Sequence, residues 1–197
     1  MAHQVAVIGM GRFGTSVAQE LYRIGHDVLI VDQDPTLSQQ MMGHVTYAVS
    51  GDATSAELLQ ELGIEHFDTA VVAIGTDIQS SVLTTVLLKQ QFSVPEVVAR
   101  AANDLHGRTL TAVGADRVVY PEQETGVRTA HSLFQRATLE YMELTSDYGF
   151  SKINATPEMV GKSLESCGFD AGSRGVDTTV VAIRRGRVPI LAPSKDE

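Results

Sequence analysis

Three glycines, Gly9-x-Gly11-x-x-Gly14, follow directly on the apolar run Val5-Ala6-Val7-Ile8. Strand, glycine-rich turn and helix in that order make a phosphate cradle. Gly9 permits the tight turn, Gly11 lets the main chain approach a phosphate, and Gly14 lets the helix close on the strand. The helix N-terminus adds free N–H groups and a positive dipole end. Met10, Arg12 and Phe13 complete the loop. Asp32 ends a second apolar run, Val28-Leu29-Ile30-Val31, 18 residues beyond Gly14. That is near the ~20-residue spacing of an acid that takes a ribose hydroxyl. A carboxylate there accepts from both hydroxyls and disfavours a 2′-phosphate, which argues against NADP. Arg12 stands where a hydride-transfer fold commonly has a small or apolar residue, and Arg100 ends a later apolar run. Two guanidiniums on one polyphosphate suit ATP or ADP at least as well as NAD. Asp52 or Thr54 can lie beside the adenine.

These residues need a scaffold, and the pattern supplies one. Gly25 closes the first helix, and Asp34-Pro35 can cap and begin a second through Met41-Met42. Val45 to Val49 reads as the third strand. Thr54 and Glu57 form a T-x-x-E capping box for a helix with Leu58, Leu59 and Leu62. Ala70 to Ile74 is a fourth strand ending at Gly75. One long helix from Ile78 to Gln91 follows, with Ile78, Val82, Val86 and Leu87 or Leu88 inward. Glu96 to Ala101 and Arg117 to Tyr120 are strands five and six, around a helix from Leu105 to Val113 capped by Asn103 or Asp104. Short buried runs alternating with helices imply an α/β fold: a Rossmann-type, doubly wound parallel sheet. Ligands of such sheets sit outside the carboxyl ends of the strands. The residues that follow the strands should therefore converge: Gly9 to Gly14, Asp32 with Gln33, Gly51 to Thr54, Gly75 to Asp77, Arg100 and Glu122.

Past Pro121 the texture changes. Val127, Ala130, His131, Phe134 and Ala137 share one helical face, as expected of a helix that covers a domain interface or crosses to a second subunit. Leu139 to Leu144 and Phe150 to Ala155 read as extended, Val160 to Ser166 as a short helix, and Thr178 to Ile183 as a strand. A hairpin at Arg185-Gly186-Arg187 returns through Val188 to Leu191. Residues 1–137 are expected to form a nucleotide-binding domain that includes this interface or crossover helix, and 138–197 a small α+β lobe, expected to be partial.

The 197 residues are 43% hydrophobic, with one cysteine and a formal charge of −9. The lone Cys167 excludes an intramolecular disulfide and fits a reducing compartment. The N-terminus lacks a signal-peptide pattern, and no apolar run approaches the ~20 residues of a membrane helix. The acidic balance argues against nucleic acid as a partner. The six histidines form no site with a cysteine, serine or acid. A dehydrogenase would need a proton donor or acceptor against the nicotinamide, and no residue pattern offers one.

The motif Ile8-Gly9-Met10-Gly11-Arg12-Phe13-Gly14 resembles the glycine loop of the Ktr/Trk-type potassium-uptake regulators, the RCK (regulator of potassium conductance) family. So do Asp32, Gly51-Asp52-Ala53-Thr54, Ala73-Ile74-Gly75 with Ile78-Gln79, and Gly114 through Glu122. The resemblance implies a cytoplasmic regulatory subunit without catalysis, in which ATP against ADP sets the shape of a gating ring and so controls ion flux. It implies a homo-oligomer, dimers assembling into an octameric ring. That ring would be held at the inner face of the membrane by a potassium channel subunit of the KtrB/TrkH type. On the same resemblance Arg12 and Arg100 contact nucleotide phosphates, Asp32 the ribose, and Ala53-Thr54 the adenine side. Glu122 helps hold a cation such as Mg or Na near the terminal phosphate. The segment Ala171 to Gly175 departs from the family pattern, and cyclic di-AMP, a second ligand of some relatives, is not assigned to this lobe. Two other readings of the residues stand beside this one: an NAD(H)-sensing regulator and a small NAD-dependent oxidoreductase.

Overall fold

The computed structural model describes residues 2–133, 138–145, 148–169, 178–194 and 196. The chain divides into two compact units, residues 1–125 and 126–197. The expected boundary after residue 137 falls outside the described residues.

The first unit is a six-stranded parallel sheet. Its strands are β1 (Gln4–Ile8), β2 (Asp27–Asp32), β3 (Tyr47–Ser50), β4 (Thr69–Val72), β5 (Glu96–Arg100) and β6 (Arg117–Val119). Their order is β3-β2-β1-β4-β5-β6, the doubly wound dinucleotide-fold order. Connecting helices are α1 (Arg12–Arg23), α2 (Pro35–Met41), α3 (Ala56–Glu61), α4 (Ile78–Val86) and α5 (Asp104–Val113); α6 (Pro121–Leu133) follows β6. Period-2 alternation gives the central strands two buried faces, while β3 and β6 at the edges are half-buried or exposed. In β1, Val5 and Val7 join one core with Val28, Ile30 and Met41, backed by Val17 and Leu21 of α1. Ala6 and Ile8 join the other with Leu59, Val72, Leu88 and Leu110. Each fully buried branched side chain contributes about 1.5–3 kcal/mol, so both faces of the sheet are firmly fixed.

Several local expectations are corrected. The N-cap of α3 is Ser55, whose hydroxyl accepts from the Leu58 N–H at 3.2 Å. Thr54 does not cap, because its N–H and hydroxyl both donate to Asp52 Oδ1, at 2.9 and 2.7 Å. β3 starts at Tyr47 rather than Val45, and β4 stops at Val72, freeing Ala73 and Ile74 for the site. The long helix after β4 is α-helical only to Val86, and Leu87–Gln91 is a widened π turn. On its inner side Ser81, Thr84, Thr85 and Leu88 are buried, with Val82 and Leu87 half-buried against the same core as expected, while Ile78 is 43% exposed. Hydroxyls can take that face because Thr85 donates to the Ser81 carbonyl at 2.8 Å and Thr84 to the Ala53 carbonyl at 3.4 Å. Asn103 caps α5 through the His106 N–H.

Beyond the π turn, Lys89 Nζ donates to the Val94 and Pro95 carbonyls, each at 3.1 Å, and pairs with Asp116 at 2.9 Å. Asp116 also accepts from the Val97 N–H at 2.6 Å. Burial opposes its charge, but the Val97 N–H and Lys89 outweigh burial and hold the carboxyl below its ordinary range. Its contribution is therefore complete above the unfolded pKa and is lost as pH falls through the lower, folded one. Asp116→Ala should cost about 1–2 kcal/mol near neutral pH, discounted because the side chain is 39% exposed. The gap from wild type should close in acid, as denaturant melts at a series of pH values would read.

In the second unit, β7 (Thr138–Glu143) pairs antiparallel with β8 (Gly149–Ile153), and β9 (Ala182–Arg185) with β10 (Val188–Leu191). β9 begins four residues later than the Thr178 start expected from the β-branched run. Residues 157–161 and 164–168 form turns, not the expected short helix; Gly161 and Gly168 both have positive φ, which suits turns and ends helices. Of the apolar face expected on the helix after β6, Phe134 and Ala137 lie outside the described residues, and Val127 is 43% exposed. No described helix is long and apolar enough to cross a membrane.

Candidate functional site

The carboxyl ends of β1, β2, β4 and β5 open onto a cleft of about 410 Å³. Its floor is the turn after β1. The Gly9 N–H donates to the Val31 carbonyl at 2.7 Å, and its φ of +104° suits only glycine. Gly14 lies behind the turn, where a Cβ would land on the Gly9 carbonyl oxygen and within 2.9 Å of the Ala73 Cβ. Gly14 thus does not line the cleft but lets it form. Gly11 is the N-cap of α1 and carries no side-chain cap; the first turn holds no acidic residue. A Cβ on Gly11 would meet nothing within 4 Å, so open space faces the main chain there. The first N–H groups of α1 are orphans by geometry and point where an anion would sit.

Asp32 ties the second strand to that loop. Its Oδ2 accepts from the Met10 N–H at 2.5 Å and its Oδ1 from the Asp34 N–H at 2.9 Å. Met10 contributes its main chain alone, since its side chain is buried in the core. Gln33, Gly51 and Ala53 continue the wall beside Asp32. Asp52 and Thr54 do not line the cleft. They satisfy each other, and the Thr54 N–H and hydroxyl, with help from Gln33, hold the Asp52 carboxyl below its usual range.

Ala73, Ile74 and Gly75 form the opposite wall, with Thr76, Asp77 and Ser80 beyond them. Ile78 faces solvent instead of the cleft. Ser80 was not signalled by spacing. It reaches the wall because Asp77 caps α4, taking the Ser80 N–H at 3.0 Å and its hydroxyl at 2.6 Å. Those bonds hold Asp77 ionised against the charge of Asp52.

Two guanidiniums complete the site. Arg12 lines the rim, exposed at the first position of α1. Arg100, 18% exposed, lies against Gly75, where any Cβ would collide with its guanidinium. Its Nη2 donates to Glu122 Oε1 at 2.5 Å, and its Nε is buried without a partner among the described residues. That hydrogen bond, ahead of the charges of Arg100 and Arg12, keeps the Glu122 carboxyl below its normal range. His106 stands near, its Nδ1 accepting from the Ala102 N–H at 3.1 Å. Burial and then the Arg100 charge push its pKa down, so the ring stays neutral. The cleft thus offers uncapped N–H groups and two cations to an anion, a carboxylate to a ribose, and apolar walls from Ile8, Val31, Ala53 and Ile74. A nucleotide fits that set of donors. Among the described residues no cluster of three or more His, Cys, Asp or Glu could hold a metal ion alone.

The sequence and the fold both have relatives among known proteins. Residues 5–121 match the family model of the TrkA-N domain. Ktr system potassium uptake protein A of Bacillus subtilis (strain 168) is 37% identical over 195 residues, spanning 98% of this chain and 86% of that protein. Among solved structures, the GsuK channel bound to NAD superposes with a TM-score of 0.62 at 16% identity, covering 86% of this chain and 31% of the channel chain. GsuK bound to ADP gives 0.55 at 14% identity, covering 86% and 52%. At those identities the two GsuK likenesses concern the fold alone.

Proposed function

The chain belongs to the TrkA-N domain family, and from that membership we propose that it is a nucleotide-binding regulatory subunit of a potassium uptake channel or transporter, in which ATP and ADP favour different assembly shapes. One observation carries the reading: two guanidiniums, Arg12 and Arg100, border a helix N-terminus that no side chain caps. A third phosphate gives such a site something to read that a diphosphate lacks. Only differential affinity shifts a conformational equilibrium, and each tenfold preference is worth ~1.4 kcal/mol per site. Several linked sites add these increments. Asp32 takes the ribose, the Ala53 wall the adenine, and Glu122 a cation such as Mg or Na on the terminal phosphate. The subunits form dimers that assemble into an octameric ring, through the helix that follows Glu122, and dock on the cytoplasmic side of a membrane potassium channel subunit.

The test is titration calorimetry of Arg12→Ala. Removing an exposed charge-assisted contact to the last phosphate should weaken ATP about tenfold and ADP about twofold. Equal loss for both would count against discrimination at Arg12. NAD(H) sensing is the second reading; the Asp32 carboxylate and the NAD bound to the GsuK channel favour it, and tight NADH binding that ATP does not displace would establish it. An oxidoreductase is less supported. No histidine, lysine, tyrosine or cysteine is among the described residues lining the cleft, and two of its three acids, Asp77 and Glu122, are held as anions.

A further inference from the structure

Arg100 is the most constrained charge in the cleft, and its partner is a carboxylate of the chain itself. The strand end β5 delivers it, Gly75 makes room for it, and Nε and the guanidinium edge over Gly75 carry no hydrogen bond among the described residues. A mostly buried guanidinium without an anion is costly, and here Glu122 supplies the anion. Glu122 is itself 63% exposed and sits in the first turn of α6, beside Glu124, which accepts from the Tyr120 N–H at 3.2 Å. It holds one end of a strong pair and can leave for water at little cost, whereas Arg100 cannot.

We propose that Glu122 is a tethered competitor for the anion seat at Arg100, and so a residue that sets specificity by phosphate-chain length. This rests on the nucleotide reading above. A phosphate that reaches Arg100 replaces the carboxylate, and Glu122 leaves the guanidinium, free to take a cation beside that phosphate or, without one, to face water. A shorter ligand, bound only at the N-terminus of α1, leaves the pair intact. The exchange conserves charge balance around Arg100, so the buried guanidinium is paired in both states. It also removes a restraint on the first turn of α6, since Glu122 is the second residue of that helix. The same event frees the carboxylate, so occupancy by a long phosphate chain and availability of Glu122 rise together.

The experiment compares wild type with Glu122→Gln by calorimetry, in a choline buffer with EDTA so that no metal bridges Glu122 to phosphate. The ligands are AMP, ADP and ATP. Loss of the competitor should tighten ATP roughly fivefold, as expected for a partly exposed pair, and leave AMP within about twofold. In an Arg100→Gln background the same change should have no effect, which isolates the pair from the general loss of a negative charge. Hydrogen exchange supplies an independent reading. ATP should speed exchange of amides 122–125 in wild type, and in Glu122→Gln they should be fast with or without ATP. A uniform gain across the three nucleotides, an unchanged or weaker ATP affinity, or the same gain without Arg100 would each overturn the competitor. Wild-type protein that binds none of the three would instead overturn the nucleotide reading, and this inference with it.

Discussion

Gly14→Ala should unfold the floor of the cleft. The added methyl has nowhere to go, because it lands on the Gly9 carbonyl and presses on Ala73 at 2.9 Å. Neither neighbour is the free end of a flexible side chain. Gly9 is pinned by its 2.7 Å bond to Val31, and Thr15 holds the Met10 carbonyl at 3.0 Å. Either α1 moves off the sheet or the turn opens. Overpacking of this kind costs about 3 kcal/mol, at the upper end of the usual range. A unit of this size then melts roughly 10 °C lower. The nucleotide consequence is larger than the stability consequence, since main-chain donors displaced by an ångström no longer converge on a phosphate. Calorimetry should find ATP and ADP binding down by about a hundredfold or more. A variant with wild-type melting and affinity would mean that the loop does not pack as described.

Asp32→Ala is expected to have the second largest effect, through two losses. In the free protein the Met10 N–H, part-buried, and the Asp34 N–H lose their acceptor. Leaving such donors unpaired costs about 1–3 kcal/mol, most of it from Met10, which lies in the loop that must hold phosphate. In the complex a bidentate acceptor for ribose disappears, and hydrogen bonds to a charged acceptor are worth about 1.5–3 kcal/mol each. Together these predict ATP, ADP and NAD weakened alike, by about a hundredfold. The uniformity is the diagnostic feature, because ribose is common to all three while Arg12 reads only the far phosphates. Asp32→Asn keeps one acceptor and should fall between. Discrimination among the three nucleotides by Asp32→Ala would place the carboxylate away from the ribose.

The start of the site was legible because local chemistry and local geometry coincide there. A β-branched run, glycines at fixed offsets and an acid at the next strand end can form only one compact unit, and β1, α1 and β2 form it. Arg100 was legible as a strand end for the same reason. What sequence spacing could not resolve were choices between chemically similar neighbours. Thr54 and Ser55 both carry hydroxyls before a leucine-rich helix, and the helix starts one residue later because Asp52 captures Thr54. The helix after β4 buries Ser81, Thr84 and Thr85 on the side that Val82, Leu87 and Leu88 share, and exposes Ile78, so hydrophobic periodicity draws that side only in part. Thr85, bonded to the preceding turn, is inexpensive to bury, and hydropathy carries no sign of that. The Arg100–Glu122 pair joins residues 22 apart from two different elements, and no motif spacing encodes it. The residues that follow β4 are a middle case. Ala73 to Gly75 were placed correctly on the cleft, but Ser80 joined them only through the cap geometry of Asp77.

The widened turn at Leu87–Gln91 works as a phase adjuster. One extra residue in a helix rotates everything after it by about 100°. Here that rotation is consumed within a single turn, and Lys89 anchors its far side to Val94, Pro95 and Asp116. The entry of β5 is thereby clamped to Asp116, the residue that precedes β6, at the end of the sheet away from the cleft. Arg100, at the other end of β5, inherits its position along the sheet from that clamp.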